Sequence, residues 1–429
     1  MGEEKKTAQK IVSFKFEIKL EDELSVLAAK SDLPVFFFQT RECSKQFLGF
    51  DIAWKYGKKK LSESVFEAEQ LCEQNNDLVF FSAIPFDFVA LNNEWKSFEA
   101  FGVVLPFIMF TKIDGSTFLQ INYMSDTTPV ELLTKVTKIL IAIFGNETKN
   151  ENKPQSVEFF KQLPTKEKWE DSVNEVLKKI DDKWCKKTVL ARKEVFTHDC
   201  NGRMLIGQEL KSLNIDRSYV VYFSPDKSHG FLSLSPERLF KLSKKSIEID
   251  SLAGSRPASN IKDVDHHMRE ELKNSQKDLN EHREVSTYIE GCLKDLTSSF
   301  KKTVSEEIID LSYIHHIYSA YQGVVKDDVL IWDIISMLHP TPAIGGFPKE
   351  NAINLISLHE PFERGLFAAP LGILSKHHTE FVVGIRSALV DEQHLHLYAG
   401  AGIVSGSDSK SEWEETSVKM GKLARILCK

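Results

Sequence analysis

Short apolar runs of strand type recur along the whole chain, and helical patterns do not separate them in regular alternation. "PVFFFQT" and "DLVFFSAIPFDF" open the series, and "KIDGSTFLQI" reads as a hairpin turning at Asp114-Gly115. "TKEKWEDSVNEVLKKIDD" then carries Trp169, Val173, Val176, Leu177 and Ile180 at helical spacing. "KTVLARKEVFT", "SYVVYFSP", "HGFLSLSPERLFKLS" and "SIEIDSLAGS" follow as strand-like runs. Residues 262–300 are helical in pattern and heavily charged. "FVVGIRSALV" and "HLHLYAGAGIV" read as paired strands, and 411–428 as a closing helix. A parallel sheet needs a long crossover, usually a helix, between successive strands. This series lacks that rhythm, so the expectation is an α+β fold with a large, mainly antiparallel sheet.

With 429 residues the chain can bury a large core. The polar stretch "GNETKNENKPQS", 145–156, is the candidate linker or exposed loop. It divides residues 1–150, which carry no motif, from 157–429, which carry all the motifs below. A net charge of -7 offers no positive field to collect phosphates and argues against nucleic-acid binding. Cys43, Cys72, Cys185, Cys200, Cys292 and Cys428 include no C-x-x-C pair and read as scattered reduced thiols. The start "MGEEKKTAQKIVSF" has no apolar signal core, and "GVVLPFIMF" and "ILIAIFG" are too short to span a bilayer. The expectation is a cytoplasmic protein with no membrane partner.

The stretch "YAGAGIVSGSDSKSEWEETSVK", Tyr398 to Lys419, joins small, glycine-rich backbone to a cluster of carboxylates. Glycines admit an anion to backbone N–H groups, and carboxylates hold a hard cation. Glu412, Glu415 and Lys419 share one face of the predicted helix. The same residues also suit a plainer reading. Ser409-x-x-Glu412 and Ser411-x-x-Glu414 each fit a capping box, and Glu415–Lys419 fits an i,i+4 ion pair. "GAGIVSG" loosely matches a dinucleotide loop, but the expectation is against that reading, since the βαβ context of such a loop is not found around it.

Other candidates carry similar pairs of readings. Lys187 opens a strand-like run. It suits either a buried base or one of a solvated cluster with Lys183 and Lys186. Glu237 in "LSPERLF" follows a proline that limits ladder pairing. It suits a half-buried acid of raised pKa or a surface pair with Arg238. Glu281 and His282 look like an ordinary charged helix face. His339 and Thr341 lie in the irregular loop "HPTPAIGGFPKE", of a composition that often lines sites. Arg386 interrupts an apolar strand, where an arginine usually meets a carboxylate, here of the protein or of a ligand.

"KTVLAR", "LSPERLF", "SLAGSRP", "NEHREV", "HPTPAIGGFP", "HEPFERGLFAAPLGIL", "FVVGIRSALV" and "YAGAGIVSGSDSKSEWEE" occur in this order over residues 185–429. The series resembles the chorismate-utilising enzyme family, and within it the isochorismate synthases of menaquinone and siderophore type. The resemblance implies a large two-sheet, mainly antiparallel sandwich flanked by helices, with an interior cleft. It implies Lys187 as the base that activates a water and Glu237 as the acid that protonates the departing hydroxyl. Glu281, Glu412 and Glu415 would form a Mg²⁺ shell, with Glu281 and Glu415 the direct ligands. Arg386, Lys419 and the backbone at Gly400, Ala401 and Gly402 would hold substrate carboxylates, and Ser255, His339 and Thr341 would line the site.

The ammonia-using relatives, anthranilate synthase and aminodeoxychorismate synthase, carry glutamine where Lys187 stands. The "PIKGT"-like nucleophilic lysine of the latter is replaced here by Ala253 in "SLAGS". The resemblance therefore implies conversion of chorismate to isochorismate by water, with no obligate glutaminase, in a monomer or weak homodimer. A salicylate synthase and a non-catalytic chorismate-binding relative share the motifs and stay open. Ser255, Phe367, Ala369 and Ser319 depart from the residues common at those positions and bear on the pocket's shape.

Overall fold

A computed structural model describes residues 10–30, 32–55, 60–145, 156–199, 202–210, 217–259, 261–311 and 314–428. Most of the polar stretch 145–156 lies outside the described residues. Among those described, no helix is long and apolar enough to cross a membrane.

The strands pair antiparallel throughout and fold over into two layers that share Val103–Ile113. One layer runs from Ile11–Ile18 through Ser116–Met124, Val103–Ile113, Lys45–Lys55 and Val35–Gln39. It continues through Tyr219–Ser224, Gly230–Ser235, Ser387–Val390, His394–Val404, Lys187–His198 and Val157–Leu163. The other leaves Val103–Ile113 through Val79–Ala83, Pro370–Ser375 and Thr379–Val383. It ends with Arg238–Ser243, Ser246–Pro257, Ile314–Val325 and Thr297–Leu311. The early strands thus pair directly with later ones in both layers. The Asp114-Gly115 hairpin forms as expected, with both residues at positive φ.

Aromatic side chains fill the space between the layers. Phe36 and Phe223 of one layer meet Phe81 of the other at ring separations of 5.6 and 6.5 Å. Helices cover both outer faces. Met420, Leu423 and Leu427 of the closing helix Ser409–Leu427 pack with Leu395, Leu397 and Ala399. Ile289 and Leu293 of Gln276–Leu296 pack with Ile334 and Leu338 of Ile331–Leu338 across the other layer.

Two sequence runs expected to be single strands are each split between layers. "HGFLSLSPERLFKLS" forms Gly230–Ser235 in one layer and Arg238–Ser243 in the other. "FVVGIRSALV" forms Thr379–Val383 and Ser387–Val390, and only the second half pairs with the strand His394–Val404. Proline at 236 and a positive φ at Arg386 break the ladders, so the chain turns across the gap. The two crossings run side by side. Val383 N–H donates to Glu237 O and Leu234 N–H to Arg386 O, each at 3.0 Å. The charged stretch 262–300 likewise divides into Lys262–Asn274 and Gln276–Leu296, with Ser275 capping the second helix, and it enters a strand at Thr297.

Candidate active site

A cavity of about 180 Å³ opens where the two crossings meet the end of the strand His394–Val404. Strand alternation makes its floor. Leu395, Leu397, Ala399, Ala401 and Ile403 turn to the helices, while Tyr398, Gly400 and Gly402 turn inward. The glycines leave room at that floor. A methyl on Gly402 would stand 2.9 Å from Lys187 Cε and 3.2 Å from Glu281 Oε1.

Lys187 is buried, unlike its exposed neighbours Lys183 and Lys186, so the solvated cluster is not formed. Its Nζ donates to Glu281 Oε1 at 2.7 Å, which brings it to the cavity edge behind Gly402. Glu281 itself lines the cavity from the helix Gln276–Leu296.

Glu237 sits on its crossing, buried and facing the cavity. Burial pushes its carboxyl up to about 8. Asp250 adds to the shift, while Lys187 and Lys419 oppose it. The side chain is therefore mostly protonated at neutral pH. It does not pair with Arg238, which instead reaches Asp250 at 2.7 Å and Glu248 at 2.8 Å.

The closing helix brings Glu412, Glu415 and Lys419 to the opposite rim, all on one face as expected. Asp408 caps it by accepting Ser411 N–H at 2.9 Å, so neither proposed serine capping box starts it. The expected ion pair does form, with Lys419 Nζ at 2.5 Å from Glu415 Oε1, and the same ammonium donates to Gly400 O at 2.9 Å. Burial and the neighbouring Glu415 raise the Glu412 carboxyl. Burial acts the same way on Glu415, but Lys419, Lys277 and Arg386 hold it below the usual range. Arg386 faces the cavity at φ 51°, a left-handed backbone that costs a residue with a Cβ about 1–2 kcal/mol. That the strain persists fits a position fixed by function.

Ser255 lines the cavity beside a bulge at Gly254, whose φ is +78°. The Ala401 side chain points into the outer core with Trp169 and Val173, because it is one residue out of phase with the glycines, so the expectation there concerns its backbone alone. Two expected residues stand elsewhere. His339 and Thr341 do not line the cavity. His339 Nε2–H donates to Phe86 O at 2.8 Å and its ring packs edge-on against Phe86. Thr341 O instead accepts the N–H groups of Ile344 and Gly345, and it is Ala343 and Ile344 that reach the wall.

Sequence reasoning missed several wall residues. His316 is buried with Nε2 lacking a hydrogen-bond partner. Burial, with Arg386 and Lys419 nearby, pushes its pKa down to about 3, so it is neutral. A polar residue inside an apolar strand was the available signal. Lys277 stands one helical turn before Glu281 and 3.4 Å from Glu412 Oε1. Arg364 was hidden in "HEPFERGL". It pairs with buried Glu360 at 2.5 Å and donates to Val189 O and Ile344 O, tying wall segments together.

The carboxylates can be tested as a cation site by their chemistry. Glu281, Glu412 and Glu415 offer only oxygen donors, which suit a hard divalent ion. The like-charge effect of Glu415 on Glu412 is of the kind a cation relieves. The three do not converge to within 4.8 Å of one another, so they would share an ion with waters or ligand oxygens, as Mg²⁺ prefers. The residues fit that ion in this sense.

The family described as "Chorismate binding enzyme" matches residues 2–428. An isochorismate synthase of Bacillus subtilis is 31% identical over 374 residues, which span 86% of this chain and 79% of that protein. A chloroplastic isochorismate synthase of Catharanthus roseus is 29% identical over 78% of this chain and 59% of its own length. The chain thus spans less than two thirds of that plant relative. In fold it is similar to the menaquinone-specific isochorismate synthase of Escherichia coli, with a TM-score of 0.84 at 23% identity over 98% of this chain and 95% of that one.

Proposed function

The chain belongs to the chorismate-binding enzyme family, and on that premise we propose that it interconverts chorismate and isochorismate with the help of Mg²⁺. The observation that carries the reading is Glu237. A cavity acid with its pKa near 8 keeps the proton that a departing hydroxyl must take.

Chorismate is a small dicarboxylate. Arg386, Lys419 and Lys277 surround the cavity with cationic groups that would bind and orient its carboxylates. Lys187, at the cavity edge, would take a proton from the water that adds at ring C2. Glu237 would give its proton to the hydroxyl leaving C4. Each proton transfer contributes roughly 10²–10⁴-fold. Neutral His316, with an uncommitted Nε2, would hydrogen-bond the substrate without adding charge. Glu281 and Glu415, with Glu412, would hold Mg²⁺, which would offset negative charge on the ring carboxylate. Because the nucleophile is water, no ammonia donor is needed.

Menaquinone synthesis is the proposed destination of the product. The reading is supported by the menaquinone-specific relative named above. The test is incubation of the protein with chorismate, with and without Mg²⁺, and separation of the products. Isochorismate in equilibrium with chorismate is expected. Salicylate with pyruvate would replace this reading by a salicylate synthase. Metal-dependent binding without conversion would make the protein a non-catalytic relative.

A further inference from the structure

A second cluster of ligating side chains lies beyond the cavity, at the tip of the hairpin formed by Ser387–Val390 and His394–Val404. It consists of Asp391 in the turn and His394 and His396 on the strand. Their ligand atoms all lie within 4.8 Å of one another. His394 and His396 are two apart on a strand, so their rings leave the same face. His396 Nε2 is 2.9 Å from Asp391 Oδ2, and His394 Nδ1 is 3.5 Å from Asp391 Oδ1. Donors about 2.0–2.2 Å from a tetrahedral zinc ion stand roughly 3–4 Å apart, so small rotations would close the set.

The arrangement is held before any ion arrives. Asp391 Oδ1 accepts the N–H groups of Gln393 at 2.9 Å and His394 at 2.8 Å. His198 on the neighbouring strand reaches Asp391 O at 3.0 Å. The His394 ring stacks on Phe160 at 5.7 Å, and the His396 ring on Tyr398 at 6.4 Å. His396 is buried, and the nitrogen it turns toward Asp391 is Nε2. His394 and Asp391 remain partly exposed, which leaves solvent a way in.

We propose that Asp391, His394 and His396 bind a divalent transition-metal ion of the zinc class, at a site separate from the carboxylate rim of the cavity. Imidazole donors select Zn²⁺, Co²⁺, Ni²⁺ or Cu²⁺ over Mg²⁺, whereas the cavity offers oxygen alone. A three-residue set leaves the remaining positions to water. The ion fastens the hairpin whose strand continues, on the same face, through Tyr398 and Gly400 into the cavity wall.

The probe is Co²⁺, titrated into the untagged full chain in excess Mg²⁺ and followed by its visible ligand-field absorption. One equivalent is expected to bind, with affinity at least tenfold weaker in His394→Ala and in Asp391→Asn. The asparagine can still accept the turn N–H groups, so it preserves the hairpin while removing the charge. Glu412→Gln, a cavity variant, is expected to titrate like the parent. No ligand-field bands, or the same curve in the parent and both hairpin variants, would overturn the proposal and leave the cluster a hydrogen-bonded turn.

Discussion

Lys187 Nζ stands 2.7 Å from Glu281 Oε1, so the group proposed to deprotonate water is tied to a group proposed to meet the metal. One carboxylate oxygen serves both partners poorly at once. Lys187→Ala is therefore expected to reduce turnover by at least 10²-fold while Mg²⁺ binding, read by calorimetry, is kept or tightened. Mg²⁺ binding lost together with activity would show that Lys187 supports the metal site instead.

Glu281→Gln and Glu415→Gln should each raise the Mg²⁺ concentration for half-maximal activity by at least tenfold, and a chelator should abolish turnover in the parent. The check is a metal titration of initial rates. An unchanged midpoint in both variants would remove these residues from the shell.

Glu237 makes two pH statements. As a required acid with a pKa near 8, it should make the rate fall as pH rises through about 8, and Glu237→Gln should lose that limb along with most activity. Its stability effect has a definite sign. The folded-state value is raised above the ordinary 4.5, so the group's contribution is fully present below about pH 4.5 and is withdrawn as pH climbs to about 8. Glu237→Gln should thus melt higher than the parent at pH 8, by an amount that shrinks toward pH 4.5.

Gly402→Ala should fold, because the atoms nearest the new methyl are the flexible ends of Lys187 and Glu281. It should displace that pair and lower kcat with little change in melting temperature. A melting temperature that falls as steeply as the rate would mean that the strand, not the pair, is disturbed.

Arg364→Met should strand buried Glu360 and release two wall carbonyls. Breaking one side of a buried pair costs roughly 3–5 kcal/mol. Denaturant unfolding should show that loss, and Arg364→Lys should recover only part of it, because a lysine cannot reproduce the paired contacts.

Local pattern carried the strands, the Asp114-Gly115 turn and the closing helix, since alternation and helical spacing are written in neighbouring residues. The face shared by Glu412, Glu415 and Lys419 was legible for the same reason. Which layer each strand joins was not. Nothing local in "FVVGIRSALV" says that its two halves belong to different sheets, because that choice depends on partners distant in sequence. The phase of a strand decided which way the Ala401 side chain points, and the long-range contact with Phe86 decided His339. Arg364 and His316 escaped notice because their importance lies in where they are buried, which spacing alone does not express.

The paired crossings also limit how the sandwich can move. Two backbone segments passing side by side between layers, each hydrogen-bonded to the other, behave like a rivet through two plates. The plates can splay at their edges, whereas sliding over one another would require breaking those hydrogen bonds and distorting both crossings. Atoms at a rivet travel least, and Glu237 and Arg386 are the side chains mounted there. Breathing of the outer strands would then widen the mouth while leaving the acid and the arginine at a nearly constant separation.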